Sequence, residues 1–295
     1  MGCLFGAKLS GHADVILVGR WPEQIATLQR EPLLFVQTDG SQVPVTLRAT
    51  NRLDEITPVD IALIVTKASK TEKAARDAVQ VLAPNGLAIT LQNGIGNLEI
   101  LAAHVGPDRA ALGVTMQGAV LEGPGRLRHG GDGLTALAAH PAIHTFAVLL
   151  RQAGMETTVL DDVQGLIWGK LAINAAINPL TALLRVPNGV LLESEPAHHL
   201  LRCAANEVAD VAAALGITLP FEDAATRAEQ VAARTARNRS SMLQDTLRNV
   251  ETEIEFINGA VVRAGERLGI ETPVNRTLYE LVKAAEKTYA ARVDG

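Results

Sequence analysis

Lys170, Asn174 and Asn178 stand four residues apart within the run WGKLAINAAINPLTALL. A helix turns about 100° per residue, so a four-residue step drifts only about 40° and all three side chains leave one face. The rest of the run, Leu171, Ala172, Ile173, Ala175, Ala176, Ile177 and Leu180, is apolar. One ammonium and two carboxamides on an otherwise oily helix are costly to bury without partners. The stripe is either an exposed polar face or the wall of a functional cleft. The apolar surround, with no Glu and no second Lys on the stripe, favours the cleft.

The elements that must position this helix are legible upstream. Ala13 to Val18 (ADVILV), Ile61 to Val65 (IALIV) and Leu87 to Leu91 (LAITL) read as short buried strands. Between the last two, KTEKAARDAVQVLA reads as an amphipathic helix closed by Pro84-Asn85-Gly86. Strand, helix, strand at this spacing is a βαβ unit and predicts a parallel sheet. The Gly-rich passage from Gly113 to Gly133 predicts hairpins or loops at the sheet edge, PAIHTFAVLLRQAG a helix, and METTVLDD a last strand. From about Val163 the texture changes to long Ala/Leu/Ile/Glu/Arg-rich segments of helical periodicity, broken at Pro187-Asn188-Gly189, Gly216, Pro220 and Gly269. The expected fold class is α/β: a Rossmann-type parallel-sheet domain over residues 1–163, then an all-helical domain over residues 164–295.

The totals exclude several classes of function. With 295 residues there is room for two cores, and 47% hydrophobic with 20% charged residues is ordinary for a soluble globular chain. Aromatics are only 3%, so Ala, Leu, Val and Ile must build the core. A net charge of −5, with no Lys/Arg cluster interleaved with aromatics, disfavours nucleic-acid binding. Cys3 and Cys203 form neither a disulfide framework nor a metal-ligand spacing, which points to a reducing compartment. His198 and His199 point about 100° apart on one helix and read as surface histidines rather than zinc ligands. No run of about 18 apolar residues suggests a membrane span. The N-terminus lacks a signal-peptide pattern, and Gly6 stands where a myristoylation signal requires Ser or Thr. A cytoplasmic protein without a metal is expected.

Gly2 and Gly6 open an apparent helix, GCLFGAKLSG, that leads into ADVILV. In a dinucleotide fold these are the first helix and second strand, with pyrophosphate at the helix N-terminus. Gly2 serves as the third glycine of G-x-G-x-x-G; the strand before it and the first two glycines are missing. That strand is central in the order 3-2-1-4-5-6, so a chain starting at Met1 is expected to have a gapped or rearranged sheet and poor cofactor binding. The natural start is expected about ten residues upstream, with Met1 recording a misplaced initiation codon. After the next strand an NAD enzyme places an acid on the ribose hydroxyls, whereas this chain has Gly19-Arg20-Trp21. Arg20 suits the 2′-phosphate of NADP, the alternative being an ordinary surface arginine. Thr66-Lys67 and Gln92-Asn93-Gly94-Ile95-Gly96 fall just past strand C-termini, where open α/β sheets bind ligands. Asn93 is placed either to hydrogen-bond a ribose, a nicotinamide or a substrate, or to cap the next helix.

Taken together, GCLFGAKLS, VTK at Val65 to Lys67, LQNGIGN, KLAINAAINPLTAL from Lys170 to Leu183, and SSMLQD with ETEIEFING between Ser240 and Gly259 resemble the ketopantoate reductase (2-dehydropantoate 2-reductase) family. The resemblance spans essentially the whole chain. It implies hydride transfer from NADPH to the ketone of 2-dehydropantoate, giving pantoate. By the same resemblance Lys170 is the general acid that protonates the carbonyl oxygen and stabilises the developing alkoxide. Asn174 and Asn178 position substrate, Glu253 holds its hydroxyl and Ser241 binds its carboxylate. Gly2, Arg20, Lys67 and Asn93 serve the cofactor. The helical half is then the substrate-binding and dimerisation part, with a homodimer as a candidate assembly.

The residues themselves leave two points open. Ser240 and Ser241 precede an apparently long helical segment, where N-capping is their ordinary role. Glu251, Glu253 and Glu255 form a charge run of the kind that usually faces solvent, although the apolar turn of Ile254, Phe256 and Ile257 leads one of them to be expected inward. Two other functions compete: reduction of a different branched 2-oxo acid, and a cofactor-free, non-catalytic paralogue or truncated gene product that retains the helical domain as a binding or dimerisation module.

Overall fold

The structure, a computed structural model, describes residues 1–291. The chain forms two compact units, one of residues 1–92 and 97–163, the other of residues 93–96 and the chain from 164 onward.

The first unit begins with α1 (Gly2–Leu9), β1 (Ile16–Val18), α2 (Pro22–Arg30), β2 (Leu33–Val36), β3 (Gln42–Val45) and β4 (Arg48–Thr50). It continues with β5 (Val59–Ile64), α3 (Thr71–Val81), β6 (Leu82–Thr90), α4 (Asn97–Val105) and β7 (Ala110–Thr115). It ends with β8 (Gly118–Gly123), β9 (Arg126–Gly131), β10 (Thr135–Ala138), α5 (Ile143–Gln152) and β11 (Thr157–Leu160). The main sheet runs β11-β10-β7-β6-β5, with β5, β6 and β7 parallel, so this unit is α/β and Rossmann-like. The helix after β5 forms for the reason its sequence suggests. Thr71, Ala75, Ala78 and Val81 recur at three- to four-residue spacing and are buried, while the charged positions face out. Ala75 and Ala78 pack with Ile64, Leu82 and Ala88 of the two flanking strands.

The parallel array is in two pieces. β1 pairs with β4 in a sheet of its own, and β5 pairs with β6 alone. One helix serves both pieces: Phe5 and Leu9 of α1 pack with Leu87 and Ile89, while Leu4 packs with Ala49 and Leu33. The Gly-rich passage does contain a hairpin, β8–β9, but not at the edge of the main sheet. It joins a separate sheet, β3-β2-β9-β8, because the apolar LLFV of β2 lies parallel to β9 and buries Leu33, Phe35 and Leu127 together.

The described part of the second unit contains helices and no strand: α6 (Gln164–Leu184), α7 (Val190–Glu193), α8 (Glu195–Ala214), α9 (Ala224–Arg234), α10 (Ser241–Leu247), α11 (Asn258–Leu268) and α12 (Pro273–Lys287). Its core is rich in alanine, as the shortage of aromatics requires: Ala172, Ala175 and Ala176 of α6 pack with Ala204, Ala205 and Val208 of α8. Gly269 closes α11 in the left-handed conformation (φ 71°), which glycine adopts without steric cost. Among the described residues no helix is long and apolar enough to cross a membrane.

Candidate active site

The site is built on α6. Its buried face carries Leu171, Ala172, Ala175, Ala176, Ile177 and Leu180, so the helix is fixed by close apolar packing. Lys170 and Asn174 keep partial exposure, and Asn178, only 6% exposed, lies inside the unit. The three side chains therefore do not form a solvated stripe.

The structure distinguishes the three acids near residue 253. Glu251 is exposed. Glu255 is engaged outward, pairing with Arg263 at 2.5 Å and accepting the Tyr279 hydroxyl at 2.7 Å. Glu253 is only 6% exposed, and its Oε2 accepts a hydrogen bond from Asn93 Nδ2 at 3.1 Å. The turn that carries it is clamped on its N-terminal side, where the Thr252 amide (2.8 Å) and hydroxyl (2.7 Å) both donate to Glu286. Glu286 in turn pairs with Lys283 at 3.1 Å. A buried carboxylate needs this kind of rigid, hydrogen-bonded surround.

Asn93 is not a helix cap, since α4 starts only at Asn97. It heads the short segment Asn93–Gly96 that belongs to the helical unit. Gly94 has φ 81°, and a Cβ there would overlap the Phe256 carbonyl. The next amide, that of Ile95, donates to that same carbonyl at 3.3 Å. Only glycine permits so close a backbone approach at this φ, and the approach puts Asn93 beside Glu253.

Lys170 completes the group. Desolvation lowers its pKa from 10.5 to about 8, and the negative charge of Glu253 acts in the opposite direction. The ammonium is thus still mostly protonated at neutral pH, yet gives up its proton far more readily than an ordinary lysine. A cation of this kind beside a fixed carboxylate can deliver a proton to an oxyanion and stabilise it.

Of the two serines, Ser240 is the cap. It is 7% exposed, its Oγ accepts from the Leu243 amide at 3.0 Å, and it exchanges a 2.7 Å hydrogen bond with Thr181 of α6. Ser241, the first residue of α10, is exposed and has no capping role. The helix it opens is seven residues, not the long segment the sequence suggests. It stops because Asn249 turns to positive φ (53°), leading into the Glu253 turn.

The remaining candidates lie in the first unit. Gly2 is the first residue of α1, and Arg20 follows β1. The Arg20 guanidinium is 59% exposed and pairs with Asp77 at 2.9 Å, while Lys73, one turn before Asp77 on α3, lies 3.6 Å from the same carboxylate. Lys67 sits in the loop after β5. That loop is held by Gln92, which is 8% exposed and is not among the residues to which the family resemblance gives a role. Its Nε2 reaches the Thr66 carbonyl at 3.1 Å, the Lys67 carbonyl at 3.3 Å and the Thr71 hydroxyl at 2.9 Å. Its Oε1 accepts from the Thr90 hydroxyl at 2.9 Å. The available signal was its position, immediately after a buried strand, where an amide can serve two loops at once.

Comparison with known proteins agrees with this architecture. The family model for ketopantoate reductase PanE/ApbA matches residues 1–142, and the model for the C-terminal part of the same family matches residues 162–286. The 2-dehydropantoate 2-reductase of Halobacterium salinarum is 36% identical over 293 residues, covering 97% of this chain and 96% of that protein. The enzyme of the same name from Archaeoglobus fulgidus is 38% identical over 295 residues, covering 97% and 95%. Among solved structures, a PanE/ApbA family ketopantoate reductase from Ralstonia eutropha JMP134 superposes with a TM-score of 0.90 at 30% identity, covering 97% of this chain and 95% of that one. D-mandelate dehydrogenase in a ternary complex with NADH and anilino(oxo)acetate superposes with a TM-score of 0.89 at 28% identity, covering 98% and 96%. With its two halves matched in order and its Rossmann-like and helical units both in place, this chain belongs to the ketopantoate reductase family of oxidoreductases.

Proposed function

We propose that this chain reduces 2-dehydropantoate to pantoate with NADPH as the reductant. The observation that carries the reading is the charge interaction of Lys170, its pKa lowered to about 8, with the buried Glu253 that Asn93 holds. The residues near the end of β1 fit the cofactor's 2′-phosphate. Arg20 and Lys73 share the single carboxylate of Asp77, leaving a net positive charge for a phosphate to meet. Gly2 at the start of α1 would serve the pyrophosphate, and Lys67, in the loop latched by Gln92, the nicotinamide end. The bound dinucleotide supplies the hydride.

Every other part of the chemistry falls to the chain. Lys170 donates its proton to the substrate carbonyl oxygen as that oxygen gains negative charge, which yields the alcohol and leaves a neutral amine that regains a proton from solvent. Glu253 accepts the substrate hydroxyl and keeps Lys170 charged. Asn174 and Asn178 orient the substrate from the same helix face, and the exposed Ser241 binds its carboxylate.

A second reading is reduction of a different 2-oxo acid with NADH. It is favoured by the close structural likeness to D-mandelate dehydrogenase, a protein solved with NADH and anilino(oxo)acetate. One experiment tests both: NADPH and NADH oxidation by the purified protein across a panel of 2-oxo acids. The first reading expects the highest kcat/KM for 2-dehydropantoate with NADPH and pantoate as product. Preference for another acid or for NADH replaces it with the second, and no oxidation with any acid overturns both.

A further inference from the structure

Pro179 interrupts the hydrogen-bond ladder of the helix that carries Lys170. Proline has no N–H, so in α6 the carbonyl four residues earlier, that of Ala175, loses its helical donor. The Ala175 carbonyl belongs to a fully buried residue and cannot turn to solvent. It accepts instead from Asn258 Nδ2 at 3.0 Å. Asn258 is itself 0% exposed, opens α11 directly after the Glu253 turn, and donates also to Asn275 Oδ1 at 2.9 Å. Asn275 Nδ2 passes the chain on to the Ala204 carbonyl at 3.0 Å and to Glu207 at 2.8 Å. Glu207 is fixed by the amides of Val274 and Asn275, both at 2.8 Å. A buried amide chain anchored at its far end thus replaces one missing backbone hydrogen bond.

We propose that Asn258 is a positioning residue: by substituting for the N–H that Pro179 lacks, it locks the Lys170–Asn174–Asn178 face in register with the Glu253 turn. Ala175 is the residue after Asn174, and Asn258 lies five residues after Glu253, so the bond joins the two arms of the candidate site at their base. An asparagine placed only to fill the core would need no partner on α6, and an isosteric Leu would serve. The rest of the Asn258 amide supports a directional role. Its Oδ1 has no hydrogen-bond partner among the described residues, so the side chain is held there by what its Nδ2 donates to.

The kinetic side of the proposal rests on the reductase reading, so its test includes measurements that need no turnover. Asn258→Ala, Pro179→Ala and the double variant are compared for melting temperature, for the Lys170 titration midpoint by NMR, and for kcat. Asn258→Ala is expected to melt several degrees lower. Its Lys170 midpoint should rise from about 8 towards 10.5 as the ammonium gains water, and kcat should fall about tenfold or more. Pro179→Ala returns a backbone N–H to the Ala175 carbonyl, so the double variant is expected to recover melting temperature, midpoint and kcat relative to Asn258→Ala. Additive losses in melting temperature would overturn the substitution of one donor for the other. Recovery of melting temperature with the midpoint still displaced would overturn the positioning role. Absence of turnover in the unmutated chain would tell against the reductase reading alone, because the melting and titration cycles still decide the proposal.

Discussion

Asn93 and Glu253, 160 positions apart in sequence, share a 3.1 Å hydrogen bond, and that bond selects one inward-facing acid from a run of three. Its neighbour Glu255 is already engaged with Arg263 and Tyr279. The consequence is electrostatic: the carboxylate that remains inside acts on Lys170 and opposes the loss of its proton.

The first prediction concerns that charge. Glu253→Gln keeps an acceptor for Asn93 but removes the negative charge that raises the Lys170 pKa against desolvation. The lysine should then titrate below about 8, and the alkaline limb of the kcat/KM profile should move to lower pH. Profiles of the two proteins with one 2-oxo acid measure the shift. A limb that stays in place would remove Glu253 from the control of Lys170.

Lys170 carries the second prediction, in activity and in stability. As a general acid it must hold its proton, so kcat/KM should fall above about pH 8. Lys170→Ala should lower kcat by roughly 10²–10⁴-fold at pH 7. The stability effect has the opposite sense. The folded-state pKa of about 8 lies below the ordinary 10.5, so between these values the unfolded chain binds more protons and unfolding free energy rises with pH. Below about pH 8 both states are protonated and the full cost of burying the charge is felt. Denaturant titrations should show this rise, about 3 kcal/mol, in the unmutated chain and not in Lys170→Met.

These expectations also mark how far the sequence could be read. The helix face at residues 170, 174 and 178 follows from a four-residue spacing in an apolar run, and α3 from the period of its buried positions, because both signals are local. Glu253 could not be chosen over Glu251 and Glu255 from their spacing, because the choice is made by Arg263, Tyr279 and Asn93, each on a different element and the last of them 160 positions away. The sheet of β2, β3, β8 and β9 was hidden for a related reason. Its strands are four to six residues long, and β2 finds its parallel partner about ninety positions further along the chain. Asn258 is a mixed case: Pro179 inside a helical run announces an orphan carbonyl, but nothing local says which side chain will answer it.

The third prediction tests the choice of cofactor. Arg20 is exposed enough to leave Asp77 for a phosphate, with Lys73 remaining to neutralise the carboxylate. Arg20→Ala should therefore raise the KM for NADPH by about 10–100-fold, the scale of a charge-assisted hydrogen bond pair, and leave that for NADH nearly unchanged. Steady-state kinetics with both dinucleotides give the comparison. Equal losses with the two cofactors would show that Arg20 does not contact the 2′-phosphate.

The fourth prediction isolates the backbone contact behind the Asn93–Glu253 bond. At Gly94 the φ of 81° disfavours any side chain, and a methyl group would also overlap the Phe256 carbonyl, so Gly94→Ala is strained on both counts. The segment must retreat from the Glu253 turn, lengthening the Ile95–Phe256 bond of 3.3 Å and drawing the Asn93 amide away from its carboxylate. Loss of kcat by at least tenfold is expected, because misplacement of a positioned group by about 1 Å carries costs of up to that order squared. Gly96, which also has positive φ (94°), has open space around its α-carbon and supplies the control. Gly96→Ala bears the conformational strain without the collision, so it should lose stability but much less kcat. If both alanine variants lose activity equally, the close approach of Gly94 to Phe256 is not what aligns the site.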